Sequence, residues 1–312
     1  MDSEAGPVLI TDHSSMEGSR EYLVDAVKHC TGRSPVLVDA QNFFPGGGGR
    51  VESAPKGLSI TTPLAEGPVM ASVVIVYEIP PERRRDFEDV QHVLHRQAAW
   101  PLATAPERWR AATEKDLMVD RFTRHGIPYA ETVVLDGPGD AEALDAFRRL
   151  GGNVWARPAV GMGGADVFHI TSTSQLRRAA AYYGDAERKW LMARDALNFN
   201  ARGKRHQFRI IVLNGTVLQV CEHVQDDPDA PCNESQGAAV EPLATDAWPD
   251  GLCRLAVASA KAMGLPFTGV DLAPEGGGVV FEANVHPAFS PGSFEETTAL
   301  PYVRAHLAGQ RR

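Results

Sequence analysis

Asp271, Glu282 and Asn284 are the residues of this 312-residue chain whose types and spacing point most directly to chemistry. Two runs of β-prone residues, 268–272 (TGVDL) and 279–284 (VVFEAN), flank Pro274-Glu275-Gly276-Gly277-Gly278 and read as an antiparallel hairpin. With Gly276 and Gly277 at its tip, Asp271 falls opposite Glu282, and Asn284 lies two residues on, on the same face. Two adjacent carboxylates repel unless a cation lies between them. Hard oxygen ligands without Cys or His suit magnesium, which keeps positions free for phosphate oxygens. Such carboxylates support little packing, so either one should be removable without loss of the fold. An ordinary hairpin with a polar solvent face is the competing reading.

Lys115 and Arg209 are the cations to set against an anionic ligand. Lysine offers a flexible point charge and arginine a planar fork for phosphate or carboxylate, although either side chain can equally be a solvated surface charge. Arg157-Pro158-Ala159-Val160-Gly161-Met162-Gly163-Gly164-Ala165-Asp166 puts a glycine-rich turn between two strands. A Walker loop or a dinucleotide fingerprint needs a strand that enters a helix. Here the turn reads as a hairpin flap whose backbone N–H groups at Gly161, Gly163 and Gly164 can approach phosphate oxygens and exclude water, with a plain hairpin turn as the alternative. Gly46 to Gly49 are not followed by Gly-Lys-Ser/Thr or by a helix start, and read as a loop.

The elements that must position these groups follow from periodicity. Residues 8–11, 19–30 and 36–38 form a β-α-β start, 41–68 a loop or short hairpins, and 71–77 a buried strand. Helices are expected at 83–97, at 113–125 behind a Thr113/Asp116 capping box, and at 140–150, 174–183 and 248–263. Strands are expected at 131–135, 153–157, 166–170 and 190–193, with a hairpin over 207–224 that turns at Asn214-Gly215. This is an α+β pattern, and its length suggests two or three subdomains. A net charge of −9 excludes a general nucleic-acid binder. No long apolar run predicts a membrane span, so a cytoplasmic protein is expected. Cys30, Cys221, Cys232 and Cys253 lack zinc-site spacing and are expected as reduced thiols.

In chain order, Lys115, the glycine flap, Arg194-Asp195, Arg209, Asn233-Glu234-Ser235-Gln236-Gly237, Asp271, and Phe281-Glu282-Ala283-Asn284-Val285-His286-Pro287 resemble the ATP-grasp superfamily, and within it the RimK-like carboxylate–amine ligases. The resemblance covers roughly 113–298, including Gly292 and the stretch 295–298. It implies an ATP-grasp fold: an α/β lead domain (1–112), then two α+β subdomains (113–190 and 191–312) that clasp ATP. By resemblance, Lys115 meets nucleotide phosphate and the backbone at Ala193, Arg194 and Asp195 meets adenine. Gln207 lies near the ribose, Arg209 near the transferring phosphate, and Asn233 and Gly237 near the acyl centre. Asp271, Glu282 and Asn284 are implied magnesium ligands, with Mn2+ as an alternative.

Three departures stand out. Arg157 occupies the place of a second ATP lysine, residues 198–206 form a longer basic insert with Arg202, Lys204, Arg205 and His206, and the first 112 residues match only as a β-α-β lead domain. The insert can recruit an acidic substrate or be a solvated loop. The resemblance implies an ATP-dependent ligase that releases ADP and phosphate and joins a carboxylate to an amine, on an amino acid, small peptide or specialised metabolite. Its partners are then small molecules or peptides, with no nucleic acid or membrane, and a homo-oligomer is allowed. A nucleotide-binding protein without turnover, suggested by Arg157, and an ATP-grasp kinase or peptide macrocyclase are the alternatives. No Ser/His/Asp or Cys/His arrangement presents itself. His223 and His286 lack a nucleophile, and His286, beside the metal motif, can contact substrate or serve structure.

Overall fold

The computed structural model describes residues 5–55, 57–96, 102–137, 140–185, 188–289 and 295–308. The chain divides into two compact units, residues 1–110 with 286–312, and residues 111–285. The sequence-based division ran the last subdomain through to 312, whereas residues 286–312 belong with the first unit.

The first unit is built on a five-stranded sheet. β1 (Gly6–Thr11) leads through α1 (Ser19–Thr31) to β2 (Val36–Asp39), followed by β3 (Arg50–Ala54), β4 (Gly57–Thr61) and β5 (Val69–Val76), in the order β2-β1-β5-β4-β3. β1 is parallel to both β2 and β5, and β4 is antiparallel to its neighbours. Central β5 reads as a continuous Val/Ile run because both faces are covered; Val73, Val74 and Ile75 are buried. Gly47 and Gly49 lie in the expected loop, where a Cβ would come within 2.4 and 2.6 Å of the Asn42 carbonyl oxygen. They are there for close packing.

Where one helix was expected over 83–97, two 3-10 turns, Pro81–Arg83 and Arg85–Phe87, precede α2 (Glu88–Arg96). Pro80 and Pro81 fix the backbone there, and Phe87 turns into the core. α3 (Pro106–Thr113) was missed, although proline at a first helical position is a start signal. The C-terminal segment joins this unit through aromatic packing. Tyr77 stacks on Phe289 at 5.1 Å and meets His286 at 4.6 Å, and His286 meets Trp109 edge-on at 4.9 Å.

The second unit carries two antiparallel sheets. α4 (Lys115–His125) is closed by Gly126 at φ +65°. β6 (Thr132–Leu135), α5 (Asp140–Arg149), β7 (Val154–Pro158), β8 (Phe168–Ile170), α6 (Thr173–Asp185) and β9 (Trp190–Arg194) follow, and their strands form a sheet in the order β6-β9-β7-β8. Val154, Ala156, Ile170, Trp190 and Met192 pack there against Phe147, Leu176 and Tyr183 from the helices.

The second sheet takes β10 (Arg205–Leu213), β11 (Thr216–Gln225), β12 (Ala239–Pro242), β13 (Phe267–Ala273) and β14 (Val279–Asn284), in the order β12-β11-β10-β13-β14. The β10–β11 turn is at Asn214 and Gly215, both with positive φ, as an Asn-Gly turn requires. α7 (Asp250–Met263) packs Leu252, Ala256, Ala260 and Met263 beside this sheet at helical spacing. Period-two alternation then decides what the other face carries: Ile210, Val212, Val270 and Leu272 are buried on one side, which leaves Arg205, Gln207, Arg209 and Asp271 for the opposite one. α8 (Leu300–Ala308) returns to the first unit, against α1. No helix among the described residues is long and apolar enough to cross a membrane.

Candidate active site

Asp271 and Glu282 are paired across β13 and β14, and Gly269 pairs with Asn284. The route to this register differs from a simple hairpin. Next to the turn Leu272 pairs with Val280, and the register shifts between Asp271 and Leu272, leaving Phe281 as the extra residue of a bulge. On the other side of β13, Arg209 pairs with Asp271. One cation and two carboxylates therefore lie in line across three neighbouring strands.

Arg209 donates from Nε to Asp271 Oδ1 and from Nη2 to Asp271 Oδ2, both at 2.7 Å, and Asn284 Nδ2 donates to Asp271 Oδ2 at 3.0 Å. Burial works against the Arg209 charge, but the Asp271 carboxylate outweighs it and raises the guanidinium pKa above its usual value. Asp271 is thus a structural partner of Arg209 and Asn284 as well as a candidate oxygen ligand. Its side chain is 8% exposed against 24% for Glu282, so removing it is now expected to cost the fold stability.

Glu282 faces two further cations. Lys115 Nζ lies 3.4 Å from Glu282 Oε1 and donates to the Gly161 carbonyl at 2.9 Å. The expected Thr113/Asp116 capping box is replaced at the start of α4, where the N-cap is Glu114 without a side-chain cap and the Lys115 amide donates to the Ala159 carbonyl at 2.8 Å. That bond ties the helix end to the strand that leads into the glycine turn, and so fixes Lys115 beside it. From β7, Arg157 donates through Nη2 to the Phe281 carbonyl at 3.1 Å, and its Nη1 lies 3.8 Å from Glu282 Oε2. Its Nε is buried and has no hydrogen-bond partner among the described residues. Burial lowers the Arg157 pKa, against the pull of Glu282 and Asp271.

These groups line a cavity of about 210 Å³ that also takes in Gly161, Gly163, Gly164, Ala193, Arg194, Asp195, Gln207 and Asn233. Gly237 is off its lining, as are Arg202, Lys204, His206 and His286. The Gly237 backbone, at φ +90°, ends the 3-10 turn Glu234–Gln236. Gly292 lies outside the described residues, as does the side chain of Glu295. His286 is half-buried and belongs to the first unit, and His223 is buried with Nδ1 3.2 Å from the Cys232 carbonyl, burial pulling its pKa down to about 4.

The far wall of the cavity was not anticipated. Arg205, read as part of a basic insert, is 3% exposed and donates to Asp195 from Nη1 (2.8 Å) and Nη2 (3.2 Å), to Asn198 Oδ1 and to the Pro228 carbonyl. Its guanidinium lies 4.6 Å from the Phe199 ring centre and 5.0 Å from that of Trp155, which in turn stacks on His169 at 4.5 Å. Of the insert's other cations, Lys204 pairs with Asp226 at 2.7 Å. Trp155 was legible by one route: it lies two residues before Arg157 on β7 and hence on the same face.

The side chains of Arg194, Asp195 and Gln207 are committed to protein partners. Arg194 holds Glu275 at 2.9 and 3.0 Å, Gln207 Nε2 donates to the Cys232 carbonyl at 3.2 Å, and Asp195 also accepts from Trp155 Nε1 and Asn153 Nδ2. Burial favours the neutral acid at Asp195, but the Arg205 hydrogen bonds outweigh it and hold the carboxyl below its ordinary value. A lowered folded-state pKa contributes stability that is present above the ordinary carboxylate range and lost as pH falls through the lowered value. Chemical denaturation from pH 7 to pH 2 is expected to show a smaller acid-dependent loss in Asp195→Asn than in the parent chain, from a lower starting stability. Parallel curves would remove Asp195 from the acid-sensitive groups.

The donor set fits magnesium: two carboxylates and an amide, all hard oxygen donors, on one face of a strand pair that also faces the cavity. Asp271, Glu282 and Asn284 would hold the ion. No group of three His, Cys, Asp or Glu side chains among the described residues forms an alternative metal cluster. An anionic ligand fits the orphaned Arg157 Nε and the glycine turn.

No curated protein matches the chain in sequence. Among solved structures, the ATP-grasp ligase PsnB in complex with a phosphomimetic variant of a minimal precursor, Mg and ADP is similar over 98% of each chain, at 15% identity and a TM-score of 0.65. The D-cycloserine synthetase DcsG is similar over 98% of this chain and 100% of its own, at 17% identity and a TM-score of 0.67. D-alanyl-alanine synthetase A from Vibrio cholerae covers 100% of both chains at 16% identity and a TM-score of 0.66. At these identities the likeness concerns the fold, which is the α+β ATP-grasp fold. Residues 117–301, more than half of the chain, match the family model of the prokaryotic glutathione synthetase ATP-grasp domain, and the chain belongs to that family.

Proposed function

We propose that the chain is an ATP-dependent ligase of the RimK-like, carboxylate–amine type, which activates a carboxylate as an acyl phosphate and joins it to an amine. The observation that carries this reading is the meeting, in one cavity, of Arg209, Asp271 and Glu282 in line across three strands with Lys115, Arg157 and the glycine turn opposite. In this reading a carboxylate oxygen of the substrate attacks the γ-phosphorus of ATP, the bond to the β-phosphate oxygen breaks, and ADP leaves. The amine nitrogen then attacks the acyl carbon, phosphate leaves with the bonding pair, and the amine proton passes to solvent. No protein nucleophile is needed. Lys115, Arg157 and Arg209 offset charge on the phosphoryl group in flight, which is the main demand of such a transition state. Asp271, Glu282 and Asn284 would hold magnesium, which would supply further charge neutralisation when bound.

The set Asp271, Glu282 and Asn284 supports turnover over a sensor that has lost it, and Arg157 keeps a positive charge inside the cavity. An amino acid, small peptide or specialised metabolite is the substrate class that fits the reading. A screen of amino acids and small acids with mass analysis of the products tests it. We expect ADP and phosphate in step with an amide product. AMP and pyrophosphate would mean an adenylate intermediate and would end the acyl-phosphate account.

A further inference from the structure

The turn joining β7 to β8 is fastened at its two ends in different ways. Toward β8, Asp166 accepts from Tyr182 Oη at 2.5 Å and Arg188 Nη1 at 2.8 Å, and its carbonyl accepts from Tyr183 Oη at 2.6 Å. Tyr182 and Tyr183 are on α6 and Arg188 lies just before β9, so this end is moored to its own sheet. At the head of the turn, Gly163 and Gly164 have φ of +67° and +72°, consecutive left-handed residues that a side chain would strain. The Gly163 carbonyl accepts two hydrogen bonds from the loop between β11 and β12, from Ser235 Oγ at 2.6 Å and Gln236 Nε2 at 3.1 Å. A Cβ on Gly164 would lie 2.7 Å from Asn233 Oδ1 and 3.0 Å from Pro231 Cγ, so the glycine lets the same loop press directly on the turn. A third tie, from Lys115 Nζ to the Gly161 carbonyl, comes from α4.

We propose that Ser235 and Gln236 are positioning residues that latch the glycine turn down over the cavity, so that the loop carrying Asn233 governs the cover of the nucleotide's phosphate end. The proposal rests on the nucleotide reading above for what is covered, while the latch itself rests on the contacts alone. With both donors on one carbonyl, the orientation of the turn, and with it the direction of its N–H groups, is fixed from the other sheet. Without them the head of the turn, between the Lys115 tie at Gly161 and the Asp166 mooring, is free to swing, which admits water to the phosphates. Ser235 is exposed and Gln236 only half-buried, so truncating both leaves the core untouched.

The test compares the parent chain, the S235A/Q236A double variant and S235T, which keeps the hydroxyl. Backbone ¹⁵N relaxation without ligand is expected to show order parameters for residues 161–165 falling from near 0.85 to below about 0.6 in the double variant and staying near the parent value in S235T. Stopped-flow release of a non-hydrolysable ATP analogue with magnesium is expected to be about tenfold faster in the double variant. Unchanged order parameters in residues 161–165, or a fall spread over the whole unit, would overturn the latch. If the parent chain takes up no nucleotide, the nucleotide reading fails, and the relaxation data still decide the latch.

Discussion

Asp271→Ala is expected to abolish magnesium-dependent ADP formation and also to weaken the fold, whereas Glu282→Ala abolishes turnover with little effect on stability. The two carboxylates face each other across one strand pair but have different obligations. Asp271 satisfies Arg209 at two atoms and Asn284 at a third, so its loss strands a guanidinium that is largely removed from water. Breaking such a pair from one side costs on the order of 3 kcal/mol. Glu282 is more exposed, and its two cationic neighbours each keep a backbone carbonyl, Lys115 that of Gly161 and Arg157 that of Phe281. Its removal is expected to cost about 1 kcal/mol or less. Either change should bring turnover to the edge of detection, a loss on the order of a hundredfold or more, because the cation that would offset charge on the phosphoryl group loses a ligand. Urea unfolding and ADP release measured on the same preparations separate the two effects. Near-parental turnover in both variants would place the cation elsewhere.

Arg157→Ala is expected to weaken nucleotide binding by about 1.5–3 kcal/mol, the value of a charge-assisted hydrogen bond. Pro158 fixes the backbone that follows, and the side chain lines the cavity with two nitrogens at β14 and Nε buried without a partner among the described residues. An orphaned buried donor costs stability unless something completes it, and a phosphate oxygen has the right chemistry. Arg157→Lys is expected to fall between the parent and Ala, because it restores the charge but not the fork. Calorimetric titration with a non-hydrolysable ATP analogue and magnesium measures the difference. Unchanged affinity in Arg157→Ala would assign the side chain to holding β7 against β14.

Period-two alternation made much of the site legible. It placed Asp271, Glu282 and Asn284 on one face, because side-chain direction on a strand is decided locally. It did not foresee that a bulge at Phe281 delivers this register. The glycine turn was legible as a hairpin because glycines between two β-prone runs have few other uses. The Arg205 wall was hidden because Arg202, Lys204 and Arg205 have the composition of a solvated loop, and only tertiary contacts with Asp195, Asn198 and Trp155 single out Arg205 for burial. The association of residues 286–312 with the first unit was hidden for the same reason. It depends on rings such as Tyr77 and Phe289, more than 200 residues apart in sequence, meeting in space.

The central claim is that this cavity binds ATP through a magnesium ion held by Asp271, Glu282 and Asn284. Calorimetric titration of the intact chain with a non-hydrolysable ATP analogue, with magnesium and again with the metal chelated, tests it most directly. The account predicts one saturable site per chain whose affinity falls at least about tenfold without magnesium, a difference of about 1.4 kcal/mol, and which loses that dependence in Glu282→Ala. Binding that is equally tight with and without magnesium, or no binding at all, would contradict it.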